Sequence, residues 1–99
     1  MYNSISMNEF EKKWANKDIK LIDVREQDEW DAGHLNGAQH FPLSELAELK
    51  DKLLDNKESY YVMCHSGGRS AAACDFLSKE GYNVTNVLGG ISAWRGETV

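Results

Sequence analysis

The sequence has one proline and only two cysteines, and no apolar run in it approaches the roughly 20 residues needed to cross a bilayer. Scarce cysteine excludes a disulfide-stapled scaffold. Cys64 and Cys74 lie ten positions apart without a Cys-x-x-Cys pattern, so free thiols in a reducing compartment, the cytoplasm, are expected. The stretch from Met1 to Glu11 lacks a basic segment leading into an apolar one, so an untargeted, soluble chain is expected. An excess of positive charge is missing too: 11 basic residues stand against 16 acidic ones, for a net charge of -5. Nonspecific attraction to nucleic acid or to an anionic membrane is therefore disfavoured, and neither is expected as a partner. Acidic residues are themselves absent from Ser59 to Cys74, a stretch that contains His65 and Arg69. Any anion site should lie there.

A chain of 99 residues, 41% of them hydrophobic, suffices for one core and not for two, so a single domain over residues 1–99 is expected. Ser6 followed by Glu9 reads as a capping box that opens a helix through about Trp14, with Met7, Phe10 and Trp14 on one face. Ile19 to Val24 reads as a buried strand, Glu26 to Ala32 as a turn or two of helix stopped by Gly33, and Ala38 to Phe41 as a short strand ended by Pro42. Ser44 is placed to cap a helix with Leu46, Leu49, Leu53 and Leu54 on its apolar side. Tyr60 to Met63 is a strand that runs into Cys64 and Gly67-Gly68. A helix follows from Ser70 to Glu80, with Ser70, Ala73, Cys74, Leu77 and Gly81 on one face. Val84 to Leu88 is the last strand, Gly89-Gly90 a turn, and Ile91 to Trp94 a short terminal helix. Such alternation predicts an α/β three-layer sandwich: a small, mostly parallel sheet of four or five strands with helices on both faces.

In open parallel sheets ligands bind beyond the carboxyl ends of the strands, which nominates Cys64. A following helix N-terminus, loop N–H groups, the Arg69 guanidinium and a protonated His65 would each favour its thiolate, the nucleophilic form. Gly67 and Gly68 let the loop curl so that successive N–H groups point inward, and Arg69 offers a fork of donors suited to an oxyanion leaving group.

The segment Cys64-His65-Ser66-Gly67-Gly68-Arg69-Ser70 resembles the active-site loop of rhodanese domains, Cys-x-x-Gly-x-Arg-Ser/Thr. Asp23-Val24-Arg25 with Glu29, Trp30, Gly33 and His34, and Gly89-Gly90 with Ala93-Trp94, resemble further blocks of that family, so the likeness spans nearly the whole chain. Leu35-Asn36-Gly37 and Gln39-His40-Phe41-Pro42 depart from it, outside the loop. The resemblance implies a sulfurtransferase without a cofactor. Cys64 would take the outer sulfur of a small anionic donor, such as thiosulfate or a low-molecular-weight persulfide, and pass it from a persulfide to cyanide or to a thiol acceptor, protein thiols included. It further implies catalytic roles for Cys64 and Arg69, contacts to the transferred sulfur from His65, Ser66, Gly67, Gly68 and Ser70, and bracing roles for Asp23, Arg25 and His34.

Four residues separate Cys64 from Arg69. The related phosphatases and arsenate reductases have one more, usually with His before the Cys, so the tighter nest favours a single sulfur over a phosphate. A phosphatase and a noncatalytic binding or regulatory module remain the alternatives. Cys74 is read as packing, His34 and His40 as structural with no metal expected, and Trp14, Trp30 and Trp94 as core or half-buried packing. His65 either faces solvent or tunes substrate choice. Glu26, Asp28, Glu29 and Asp31 are read mostly as a solvated face, one of whose members pairs with Arg25.

Overall fold

Apolar strands and amphipathic helices alternate along the chain, and the most apolar strands lie at the centre of one sheet. The computed structural model describes residues 2–16 and 18–99; Met1 and the side chain of Leu53, both used in the expectations above, lie outside the described residues. In chain order the elements are β1 (Asn3–Ile5), α1 (Met7–Ala15), β2 (Lys20–Asp23), α2 (Gln27–Asp31), β3 (Gln39–His40), a 3-10 turn (Leu43–Glu45), α3 (Leu46–Leu53), β4 (Ser59–Met63), α4 (Gly68–Lys79), β5 (Asn83–Val87) and α5 (Gly90–Ala93). The strands run in the order β1-β5-β4-β2-β3, and every pairing is parallel. The α/β sandwich expected from the alternation is the one observed.

Helices cover both faces, so the inner strands bury consecutive residues: Leu21 and Ile22 on β2, Val62 and Met63 on β4. On one face Ile22, Val62 and Val84 pack with Leu46 of α3 and with Ala73, Cys74 and Leu77 of α4. On the other, Leu21, Met63 and Val87 pack with Phe10 and Trp14 of α1, and Ile91 and Trp94 close the layer. Phe10 stacks on Trp14 at 5.8 Å between centroids and meets Trp94 edge-on at 6.1 Å. Ser6 caps α1 by accepting the Glu9 N–H at 3.2 Å, as its spacing predicts.

Several expectations need correction. Asn3–Ile5 was assigned no element, yet it pairs with Thr85 to Val87 and forms an edge strand; three mostly polar residues become a strand only through that partner. Ser44 does not cap α3. It lies within the 3-10 turn, and its hydroxyl donates to Glu26 Oε1 at 2.8 Å. α4 begins at Gly68, two residues ahead of the expected Ser70, because Gly67 at φ +114° supplies the left-handed turn just before it. Gly81 is exposed beyond its end, not on the buried face. Leu88 falls outside β5 and is exposed. Arg25 pairs with none of the acidic residues 26–31; its partner is Asp23.

Candidate active site

Between β2 and β4 the chain changes the direction in which it lays down strands: from β2 it moves outward to β3, then crosses back to β4 and on to β5. The loops leaving β2 and β4 therefore diverge and leave a crevice at the carboxyl end of the sheet. Cys64 is the first residue after β4, at the base of that crevice.

The loop from Cys64 to Ser70 is shaped from three sides. From within, the Gly67 N–H points back at Cys64 Sγ at 3.1 Å, and the Ser70 side chain, on the first turn of α4, lies 3.3 Å from the same sulfur. From below, Asn86 of β5 is buried and uses both ends of its amide: Oδ1 accepts from Ser70 Oγ, while Nδ2 donates to the Gly67 carbonyl at 3.5 Å. From the side, α5 donates the N–H groups of Ile91 and Ser92 to the carbonyls of Cys64 and His65 at 2.8 and 2.9 Å. That last contact requires glycine at position 90: its φ is +54°, and a Cβ there would collide with the Cys64 carbonyl oxygen. His65, Ser66 and Gly68 are exposed at the rim, and Ser70 is fully buried.

Two thiols thus share one core cluster and behave in opposite ways. Burial pushes Cys74 up to about 12, helped by the nearby Cys64 charge. Burial acts on Cys64 too, yet its thiol is held below the ordinary value. The Ser70 hydroxyl and the N–H groups of Ser70, Gly67 and Ser66 favour the thiolate by more than desolvation opposes it. Arg69, expected to help directly, reaches Cys64 only as a distant charge.

The Arg69 fork, expected to be open to an anion, is occupied by Glu29 of α2. Nη1 donates to Oε1, and Nη2 donates to Oε2 at 2.7 Å. The pair crosses the crevice, raises the Arg69 pKa and lowers the Glu29 carboxyl to about 2, chiefly through its hydrogen bond to Arg69. Asp23, Arg25 and His34 stand outside the cradle. Arg25 Nε and Nη2 clasp the buried Asp23 carboxylate at 2.8 to 3.1 Å, and its remaining donors reach the carbonyls of Glu29 and Gly33 at 3.2 and 2.7 Å. This ties α2 to the end of β2. His34 and His40 sandwich Trp30, with centroids 3.6 and 4.6 Å away, and each holds a backbone carbonyl through a ring nitrogen. Among the described residues no cluster of His, Cys, Asp or Glu is arranged to share a metal ion, and no helix is long and apolar enough to cross a membrane.

Two participants escaped sequence reasoning. Asn86 carried a signal that could have been used, a lone amide in the otherwise β-forming run Val84-Thr85-Asn86-Val87. Glu29 stands in the family-like block that begins at Asp23 but is read there as a solvated face, since forty residues separate it from Arg69.

A family model described as the rhodanese-like domain matches residues 6–97. The chain is 40% identical over 88 residues to YtwF of Bacillus subtilis (strain 168), whose name provisionally makes it a sulfurtransferase; the match covers 89% of this chain and 84% of that protein. It is 30% identical to the thiosulfate sulfurtransferase GlpE of Coxiella burnetii (strain RSA 331 / Henzerling II), with 96% of this chain and 89% of that one covered. Among solved structures, a rhodanese-like domain protein from Staphylococcus aureus superposes with a TM-score of 0.88 at 30% identity, over 96% of this chain and 92% of the other.

Proposed function

This chain belongs to the rhodanese-like domain family, and from that premise we propose that it is a sulfurtransferase working through a persulfide on Cys64. The observation that carries the reading is the contrast between the two buried thiols: Cys64 alone is cradled by donors that favour the thiolate. An inert packing cysteine would resemble Cys74.

In the first half-reaction the Cys64 thiolate attacks the outer sulfur of a donor such as thiosulfate or a persulfide. A bond forms from Sγ to that sulfur as the donor's S–S bond breaks, and sulfite or a thiolate departs with the electron pair. In the second, an acceptor thiolate or cyanide attacks the outer sulfur of the persulfide, and Cys64 leaves as the thiolate. The N–H groups around Cys64 Sγ are fitted to hold the extra sulfur's charge in both halves. Two free thiols and this chemistry suit a reducing compartment such as the cytoplasm.

The reading is tested by intact mass after incubation with thiosulfate and with a low-molecular-weight persulfide. Wild type should gain the mass of one sulfur, lose it on addition of excess thiol, and show no gain as Cys64→Ser. No gain on wild type from either donor would exclude the transfer and favour a noncatalytic module.

A further inference from the structure

The charge at the mouth of the cradle is set by the ion pair of Arg69 with Glu29, which takes no part in the sulfur-transfer steps above. We propose that Glu29 is a specificity-determining residue: by occupying the Arg69 fork it leaves the mouth without free positive charge, and so favours alkyl hydropersulfides over the thiosulfate dianion. This inference deepens, and rests on, the sulfur-transfer reading of Cys64.

Arg69 is the only Lys or Arg between Ser59 and Cys74. Each of its terminal nitrogens donates to Glu29, so a thiosulfate binding the same edge of the guanidinium would have to displace a bidentate carboxylate. The Glu29 carboxylate is also held from its own helix, since Oε1 accepts the Glu26 N–H at 3.1 Å in a reciprocal capping box. A second carboxylate, Glu26, acts on Arg69 through charge and is fixed by the Ser44 hydroxyl at 2.8 Å. The other cation of this region, Arg25, is buried against Asp23. One guanidinium therefore faces two carboxylates, and the long-range field of a chain of net charge -5 opposes the approach of a dianion to this mouth.

A hydropersulfide carries its transferable sulfur without an oxyanion group. The Cys64 thiolate attacks the outer sulfur of R–S–SH, the Sγ–S bond forms as the donor S–S bond breaks, and RS⁻ leaves with the electron pair while the hydrogen stays on the transferred sulfur. Nothing in this step requires the Arg69 fork.

The test compares single-turnover sulfur gain on Cys64, followed by intact mass, with thiosulfate and with 2-hydroxyethyl hydropersulfide as donors. Glu29→Gln removes one negative charge from a partly exposed site while keeping the side chain's shape. It is expected to raise the second-order rate with thiosulfate about tenfold and to leave the persulfide rate within about twofold. Added salt should speed the wild-type thiosulfate reaction by screening repulsion and should matter less in the variant. Glu26→Gln, which leaves the Arg69 pair intact, should shift the donor ratio the same way by a smaller factor. An unchanged or lowered thiosulfate rate in Glu29→Gln, with wild type still gaining sulfur, overturns the inference alone and reduces Glu29 to a support for Arg69. Failure of wild-type Cys64 to gain sulfur from either donor overturns the transfer reading, and this inference with it.

Discussion

Removing the Ser70 hydroxyl should change how Cys64 responds to pH, and it also takes the donor from Asn86 Oδ1 beneath the loop. The hydroxyl lies 3.3 Å from Sγ in a fully buried position: it accepts from the thiol, turns its one proton from Asn86 Oδ1 to Sγ when the thiolate forms, and cannot readily be replaced by water in Ser70→Ala. A hydrogen bond to a charged group is worth about 1.5–3 kcal/mol and one between neutral groups about 0.5–1.5 kcal/mol, so the thiolate loses about 1–1.5 kcal/mol relative to the thiol. That is roughly a tenfold smaller thiolate fraction wherever most of the protein is protonated. The less stabilised thiolate is in turn more nucleophilic, by about threefold for a Brønsted coefficient near 0.5. The net expectation is alkylation by iodoacetamide about threefold slower at low pH and about threefold faster at high pH, with the inflection moved upward. Intact mass follows the reaction at Cys64, with Cys64→Ser as the blank and Ser70→Thr, which keeps a hydroxyl, restoring wild-type behaviour. Superimposable pH profiles would refute the assigned role of the hydroxyl. A variant slower at every pH would show instead that Ser70 holds up the loop.

Gly90→Ala forces a Cβ against the Cys64 carbonyl at φ +54°, so urea unfolding should show a loss of about 2–4 kcal/mol together with slowed Cys64 alkylation. Stability near wild type would mean that α5 can move away from the loop at little cost. Arg25→Ala strands the buried Asp23 carboxylate and should cost about 3–5 kcal/mol in the same assay, while Cys64 in the surviving folded fraction keeps its pH profile. For Glu29 the folded carboxyl is lowered from 4.5 to about 2, so its contribution to stability is complete above 4.5 and is lost as pH falls through about 2. The stability difference between wild type and Glu29→Gln should therefore narrow across that window in urea titrations. A difference independent of pH would show that the carboxylate's charge is not what holds the pair.

Much of the fold was legible because burial leaves local traces. The apolar run around β2, the Met7, Phe10 and Trp14 spacing of α1 and the Ser70, Ala73, Cys74, Leu77 face of α4 each follow the period of their element, and each is buried or partly buried as its period predicts. β1 was not legible, because Asn3–Ile5 gains its strand character from the free edge of β5. The Ser44 assignment failed for a related reason. A serine ahead of a helix is a local capping signal, and a carboxylate eighteen residues earlier competed for its hydroxyl.

At the site, the chain order of strand, cysteine, glycines and helix was enough to place Cys64 at the end of a parallel strand. Covalent proximity alone puts Gly67 and Ser70 beside its sulfur. What became of Arg69 was decided elsewhere. A guanidinium read in isolation is an open anion fork; only the divergence of the loops after β2 and β4 brings Glu29 across the crevice to fill it, and only the β4–β5 pairing sets Asn86 beneath Ser70. Sequence by itself determined the place of Cys64, its loop and the layers around it, since these depend on neighbours along the chain and on hydrophobic period. Tertiary structure decided the charge at the mouth, because electrostatic pairing depends on distance in space, and residues 29 and 69 are close only once the sheet has formed.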